Sequence, residues 1–176
     1  MKTIRVLEYK YTGKFLNWAI SAWTGLFNWN TPRYSHSEIW WPDEFGKFFN
    51  STGIVGECFT STMRGDYNGT VIRPARSVIK YAGRWDYFEI EVDDPKFKSA
   101  ECWARIAAKR NKGYDKPAVM SFFLPIRFGS SSKDICSETA YSFLLQCGVF
   151  EVAKIPSPRR LAKWLMKLGY CRQCFS

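Results

Sequence analysis

The residue whose sequence setting most favours chemistry is Cys136, in the stretch SKDICSETAYSFLL. Asp134 is predicted to cap a helix there, which places Cys136 in the first helical turn. The unpaired backbone N–H groups and the positive end of the helix dipole favour a thiolate at that position. The same face of the helix is predicted to pack inward; it continues through Ala140, Phe143, Leu144 and Cys147. The sequence therefore predicts a nucleophilic thiolate at Cys136, and the alternative is a small core residue.

A general base for this thiol has one candidate, because His36 is the single histidine of the chain. In the predicted strand SHSEIW, alternation places His36, Glu38 and Trp40 on one face. A strand histidine that faces a cysteine at a helix start is the ion pair of papain-type cysteine hydrolases. A structural histidine is the alternative.

The elements that would position these two residues follow from hydrophobic periodicity and turn residues. A helix over residues 14–27 is predicted after the first strand, and a final helix is predicted to be capped by Ser157 with Pro158 at its first position. The predicted strands are TIRVLEYK, SHSEIWW, GIVGECFTS, GTVIRP and WDYFEIEV, and the other predicted helices are KFKSAECWARIAAKRN and the segment from Asp134 to Cys147. Strands in the middle with helices on both sides predict an α+β fold in one domain, residues 1–176.

Five segments carry a family resemblance. In chain order they are YSHSEIW, GECF, NKGYDKP, DICSETAYSFLLQCGV and PSPRRLAKWL. From Tyr34 to Leu165 the chain resembles the circularly permuted branch of the NlpC-like papain fold, which includes the YiiX-like bacterial hydrolases and is related to lecithin–retinol acyltransferase. Two positions depart from the pattern, because Ser37 and Thr139 stand where the family usually has aliphatic residues. The resemblance implies a permuted papain-like domain with an antiparallel sheet packed against helices.

The resemblance implies Cys136 as the nucleophile, His36 as the general base and later the general acid, and a third polar residue that orients the imidazole. Glu57 is predicted for that third role, because a residue directly opposed on a neighbouring strand lies about 5 Å away. Glu38 is the alternative for that role, and it is less favoured because it lies two residues along the same strand, about 7 Å from His36. If Glu57 orients the imidazole, Glu38 is expected to contact the substrate. The backbone N–H of Cys136 would serve the oxyanion hole.

Tyr114 and Asp115, in GYD, match a tyrosine-containing motif that lines the substrate groove in this family. The resemblance therefore implies that both residues contact the substrate. An ordinary turn at this position is the alternative interpretation.

The predicted activity is a cysteine hydrolase that cleaves an amide of peptide or cell-wall peptide type through an acyl-enzyme on Cys136. One alternative keeps the same triad for acyl transfer or thioester hydrolysis on lipid or acyl substrates. A second alternative is a papain-like shell used as a basic, non-catalytic binding module for an anionic polymer or nucleic acid.

The charge balance and the apolar segments bound the partners and the setting. The chain has 26 Lys and Arg against 16 Asp and Glu, a net charge of +10. This favours an anionic polymer or lipid surface as a partner, with the closing helix as the docking face, and a nucleic acid is not expected. The basic residues of that helix are Arg159, Arg160, Lys163 and Lys167.

No secretion signal is visible and the longest apolar patch is too short to span a bilayer, so a cytoplasmic protein is predicted. No cofactor or metal is expected, because the C-x-x-C of Cys171 and Cys174 has no second pair.

Overall fold

A computed structural model describes residues 1–10, 34–63, 66–111, 113–115, 135–152, 154 and 156–175. The predicted helix over residues 14–27 lies outside these described residues. Within the described residues, six strands form an antiparallel sheet in the order β6-β5-β2-β1-β7-β8, and β3 and β4 form a separate two-stranded ribbon. The strands are β1 (Lys2–Lys10), β2 (Tyr34–Trp41), β3 (Phe49–Asn50), β4 (Gly53–Ile54), β5 (Glu57–Thr62), β6 (Gly69–Pro74), β7 (Trp85–Val92) and β8 (Arg172–Cys174).

Four α-helices accompany the sheet in the described part of the chain. They are α1 (Ala75–Val78), α2 (Asp94–Arg110), α3 (Cys136–Gln146) and α4 (Pro158–Lys167), with a 3-10 turn at Ala82–Arg84. The α+β class and the antiparallel sheet predicted from the sequence are confirmed.

The three long helices cover one face of the sheet. Alternation directs Ile39 and Trp41 of β2 toward them, and Phe143 of α3 stacks on Trp41 with ring centroids 5.5 Å apart. Apolar side chains from α2, α3 and α4 complete this core. The opposite face carries a second apolar cluster that includes Leu7 and Trp40. The sheet therefore has a helix-covered face and a second face, and the parity of a residue along its strand decides which face its side chain joins.

The helix with the predicted nucleophile begins one residue later than the capping argument placed it. Ile135 is the N-cap residue and Cys136 is the first helical residue, so the prediction of Asp134 as the cap is wrong. Asp134 itself lies outside the described residues. The placement of Cys136 in the first turn is confirmed, and so is the inward stripe. Its buried members are Cys136, Ala140, Phe143, Leu144 and Cys147.

Two other boundaries show what local patterns resolve. Ser157 caps α4 as predicted, since its hydroxyl accepts a hydrogen bond from the backbone N–H of Arg160 at 3.4 Å. The strand predicted over residues 53–61 is instead split between β4 and β5 at Gly56. That glycine has φ +83°, and a Cβ there would collide with the carbonyl oxygen of Trp41. A regular strand cannot continue through such a residue.

Candidate functional site

Cys136 and His36 lie at the same end of the sheet. Phe143 of α3 stacks on Trp41, the last residue of β2. Cys136, two turns earlier, acts electrostatically on Glu8, and Glu8 pairs with Ser37 beside His36. The start of the helix is therefore near the start of the strand. Strand β1 ends and β7 begins at this same end of the sheet, since Tyr9 pairs with both His36 and Trp85.

His36 belongs to a network of titratable side chains that includes Glu38 and Arg73. Its Nε2 lies 3.0 Å from Oε1 of Glu38, and a guanidinium nitrogen of Arg73 lies 2.7 Å from the same oxygen. His36 and Glu38 are only 4% and 1% exposed. The ring of Trp85 meets the imidazole edge-on at a centroid distance of 6.4 Å. These contacts fix the orientation of the imidazole ring and assign its Nε2 to a carboxylate.

Glu38, the rival in the sequence argument, is thus the carboxylate that contacts His36, and Glu57 is not. The register of β2 and β5 pairs Glu57 with Trp41, five positions along β2 from His36. That separation is about 16 Å at 3.3 Å per residue. Glu57 instead accepts hydrogen bonds from the Trp41 indole at 3.2 Å and from Arg105 of α2 at 2.7 Å. The prediction that Glu57 directly opposes His36 is wrong.

The side chains of His36 and Cys136 belong to different faces of the sheet. Along β2, Ile39 and Trp41 contact the helix-side core, so His36 and Glu38 point to the other face with Trp85 and Trp40. Cys136 begins the helix that packs on the first face. The predicted arrangement, in which the histidine face of β2 looks directly at the start of the cysteine helix, is therefore not the one observed.

Glu8 of β1 is a carboxyl group on which the charge of Cys136 acts. Glu8 is fully buried on the helix-covered face, and Ser37 donates a hydrogen bond from Oγ to its Oε2 at 2.9 Å. Burial raises the pKa of Glu8 well above its ordinary value, and although the Ser37 bond lowers it, the negative charge of a Cys136 thiolate raises it further. Sequence reasoning missed Glu8. The signal was present, because in TIRVLEYK this glutamate shares a face with Ile4 and Val6.

A second polar group lies beside Glu8 on the same face. Asp86 pairs with Glu8 across β1 and β7, and it accepts hydrogen bonds from the Tyr34 hydroxyl at 2.7 Å and from Cys174 at 3.1 Å. Lys10 Nζ lies 3.0 Å from Asp86. Burial alone would raise the pKa of Asp86, but these three partners outweigh it and lower the pKa. Asp86 therefore keeps its negative charge and holds the Lys10 ammonium.

Tyr114 and Asp115 lie beside the outer strand β6. The backbone N–H of Tyr114 donates to Oδ1 of Asn68 at 3.4 Å, directly before β6 begins. Asp115 is buried, and Tyr114 is partly exposed. The start of β6 and the start of β2 are at the same end of the sheet, because β5 between them is antiparallel to both. These residues are therefore two strands from His36.

Three of the other cysteines have raised thiol pKa values, which disfavours their thiolates. Burial raises the pKa of Cys58 well above its ordinary value and that of Cys147 to about 12. The hydrogen bond to Asp86 is the main cause that raises the pKa of Cys174. Cys174 is the last residue of β8, and Cys171 is the residue directly before that strand. The extended backbone between them separates the two thiols. Within the described ranges, no three His, Cys, Asp or Glu side chains are grouped closely enough to hold a metal ion.

Comparisons with known proteins do not assign this chain to a family. No protein-family model matches it, and no curated protein or solved structure matches it either. Among the helices in the described part of the chain, none combines the length and the apolar character that a membrane crossing needs.

Proposed function

We propose that this chain is a cysteine hydrolase of the permuted papain-like type, with Cys136 as the nucleophile and His36 as the general base. The observation that carries the proposal is the buried His36–Glu38 pair, 3.0 Å apart, at the same end of the sheet as the first residue of α3. Buried charged groups of this kind are costly to a fold and cluster at functional sites. Glu38 takes the orienting role that the sequence argument gave to Glu57.

The residues divide the reaction between them in the following way. The Cys136 thiolate attacks the carbonyl carbon of an amide, and the carbonyl electrons move onto oxygen, where the backbone N–H of Cys136 donates to the oxyanion. With Nε2 directed to Glu38, Nδ1 is the imidazole nitrogen that accepts the thiol proton and later gives it to the leaving amine. Water, deprotonated by His36, then attacks the thioester and releases the acid.

Because the side chains of His36 and Cys136 lie on opposite faces of the sheet, the proton has to pass from one face to the other. Proton exchange between His36 and Cys136 has to pass around the start of β2, where the ladder with β1 shifts register between Tyr9 and Lys10. Strand irregularities of this kind occur next to active sites, where they redirect a side chain. A general base that acts through one intervening water is sufficient for catalysis.

The acyl-enzyme is the intermediate that tests the proposal. Incubation with p-nitrophenyl acetate is expected to release p-nitrophenolate and to leave an acetyl group on Cys136, which peptide mass spectrometry locates. Cys136→Ala is expected to lower this turnover at least about 100-fold. The exposed Cys102 gives the matched control, because Cys102→Ala removes a thiol on the surface of α2. A Cys136→Ala protein that folds and keeps its turnover would refute the proposal.

The basic surface proposed for an anionic polymer is smaller than the sequence predicted. Arg159 is 6% exposed and does not belong to it, whereas Arg160, Lys163 and Lys167 are exposed on α4. Leu161 and Leu165 of the same helix are buried in the core, and Leu168 is about half exposed. The expected docking face is therefore a cluster of three cations on a helix that the core holds in place.

Salt is expected to separate recruitment from chemistry. If the three cations bind an anionic polymer that carries the scissile amide, binding weakens as salt rises, because bound counterions are displaced on association. The Michaelis constant for peptidoglycan fragments should then increase with salt, while p-nitrophenyl acetate kinetics stay nearly constant. Replacing Arg160, Lys163 and Lys167 with glutamine should give the same increase at low salt. Salt-independent kinetics on the polymer, with thermal unfolding unchanged, would contradict this role.

A further inference from the structure

Glu8 is a buried carboxyl group from which the fold gains little. It lies on the helix-covered face of β1 between Val6 and Lys10, and it pairs with Ser37 of β2 and Asp86 of β7. Its Oε2 accepts one hydrogen bond from Ser37, and its Oε1 is buried with no hydrogen-bond partner among the described residues. A buried carboxyl oxygen without a hydrogen-bond partner destabilises the folded chain, because the group has lost its contact with water.

Burial and the surrounding negative charges both favour the protonated form of Glu8. The titratable groups that face it are Asp86 on β7, Tyr34 on β2, Lys10 on β1 and Cys136 on α3. Asp86 is ionised and holds Lys10, so the ammonium is not available to Glu8. Burial raises the pKa of Glu8 most, and the charges of Cys136 and Asp86 act in the same direction. A thiolate at Cys136 therefore favours the protonated form of Glu8.

We propose, on the basis of the cysteine hydrolase assigned above, that Glu8 is a further catalytic residue of the Cys136 site and donates a hydrogen bond from Oε1–H to the carbonyl oxygen of the acyl group on Cys136. When the Cys136 sulfur bonds to the carbonyl carbon, the carbonyl electron pair moves to oxygen and the Glu8 hydrogen bond stabilises it. The proton stays on Glu8. When the carbonyl re-forms, the C–N bond breaks and the leaving nitrogen takes its proton from His36.

A neutral acid suits this position better than a carboxylate. A negative charge on Glu8 would oppose both the Cys136 thiolate and the oxyanion, whereas a protonated carboxyl opposes neither and still donates. The unpartnered Oε1 is then the donor that the substrate satisfies. It would add a second donor to the backbone N–H of Cys136, which is the usual composition of an oxyanion hole.

Two variants of Glu8 and two reagents test this assignment. Glu8→Gln keeps a donor at the same reach, and Glu8→Met keeps the volume without a donor. Acylation of Cys136 by p-nitrophenyl acetate forms an oxyanion, whereas alkylation by iodoacetamide forms none. We expect Glu8→Met to slow acylation about 100-fold and to change alkylation by less than about 2-fold, and Glu8→Gln to keep most of the acylation rate.

Each other outcome overturns the assignment. Equal loss of acylation and alkylation in Glu8→Met means that Glu8 only positions Cys136, and no loss of acylation means that it donates nothing to the oxyanion. Faster alkylation in both variants means that Glu8 is ionised in the native protein, since removing a negative charge favours the thiolate. If Glu8→Met does not fold, the infrared difference spectrum between the wild type and Glu8→Gln replaces it. The proposal requires the band of a protonated carboxyl in the wild type, and absence of that band contradicts it. Loss of acylation in Cys136→Ala is required beforehand, so failure of the hydrolase itself is recognised separately.

Discussion

Replacing His36 with asparagine is expected to slow acylation of Cys136 by about 10²- to 10⁴-fold, which is the usual contribution of a positioned general base. Asparagine keeps a polar side chain but is too short to make the 3.0 Å contact that Nε2 makes with Glu38, and it cannot accept a proton from a thiol. The measurement is the burst of p-nitrophenolate as a function of pH. The wild type should show an acidic limb from the ionisation of the Cys136–His36 pair, and this limb should be lost in His36→Asn. A variant that keeps both the rate and the limb would show that another group accepts the proton.

The two carboxylates considered for the third role give a matched comparison. Glu38→Gln is expected to lower the acylation rate at least about 10-fold, because an amide holds the ring but supports the imidazolium less well. Glu57→Gln is expected to change the rate by less than about 2-fold, since it removes only a partly exposed ion pair with Arg105. The free energy of unfolding must be compared in parallel, because Glu38 also pairs with Arg73. The opposite ranking would return the orienting role to Glu57.

The error over these two carboxylates has a physical cause. The sequence argument compared backbone separations, about 7 Å along a strand against about 5 Å across strands. The terminal atoms decide a hydrogen bond, and the side chains of His36 and Glu38 close that gap from one face of β2. The register that places Glu57 at Trp41 depends on how β2 and β5 meet in the folded protein. A single sequence does not encode that register locally.

The positions of the helices and strands follow from the sequence more closely than which face of each strand the helices cover. The alternation in WDYFEIEV and the Ser157–Pro158 helix start are local signals, and β7 and α4 begin where those signals place them. Which face of β2 the helices cover is decided by long-range packing, in which Trp41 and Phe143 stack. The strand β8 was not predicted, because its three residues carry no alternating pattern of their own and pair with β7 only after folding.

Glu8 is expected to make the wild type less stable than Glu8→Gln at neutral pH, with a difference that grows as the pH rises. The pKa of Glu8 is raised in the folded chain, so between its unfolded value of about 4.3 and its folded value the native state binds more protons than the unfolded state. Stability from this group is therefore fully present below the unfolded pKa and is lost as the pH rises toward the folded pKa. The loss amounts to about 1.4 kcal/mol per pH unit inside that window.

Urea unfolding of both proteins at several pH values from 4 upward measures this difference, and the contributions of other titrating groups cancel because the two proteins share them. Glu57→Gln is the matched control, since Glu57 is partly exposed and paired with Arg105 and should show no such growing gain. A difference between the wild type and Glu8→Gln that does not change with pH would mean that Glu8 ionises normally in the folded state. A gain of the expected sign would show that the chain keeps a destabilising acid beneath Cys136. Proteins keep such groups mainly where function requires them, which is the reason to look for the effect of Glu8 in catalysis.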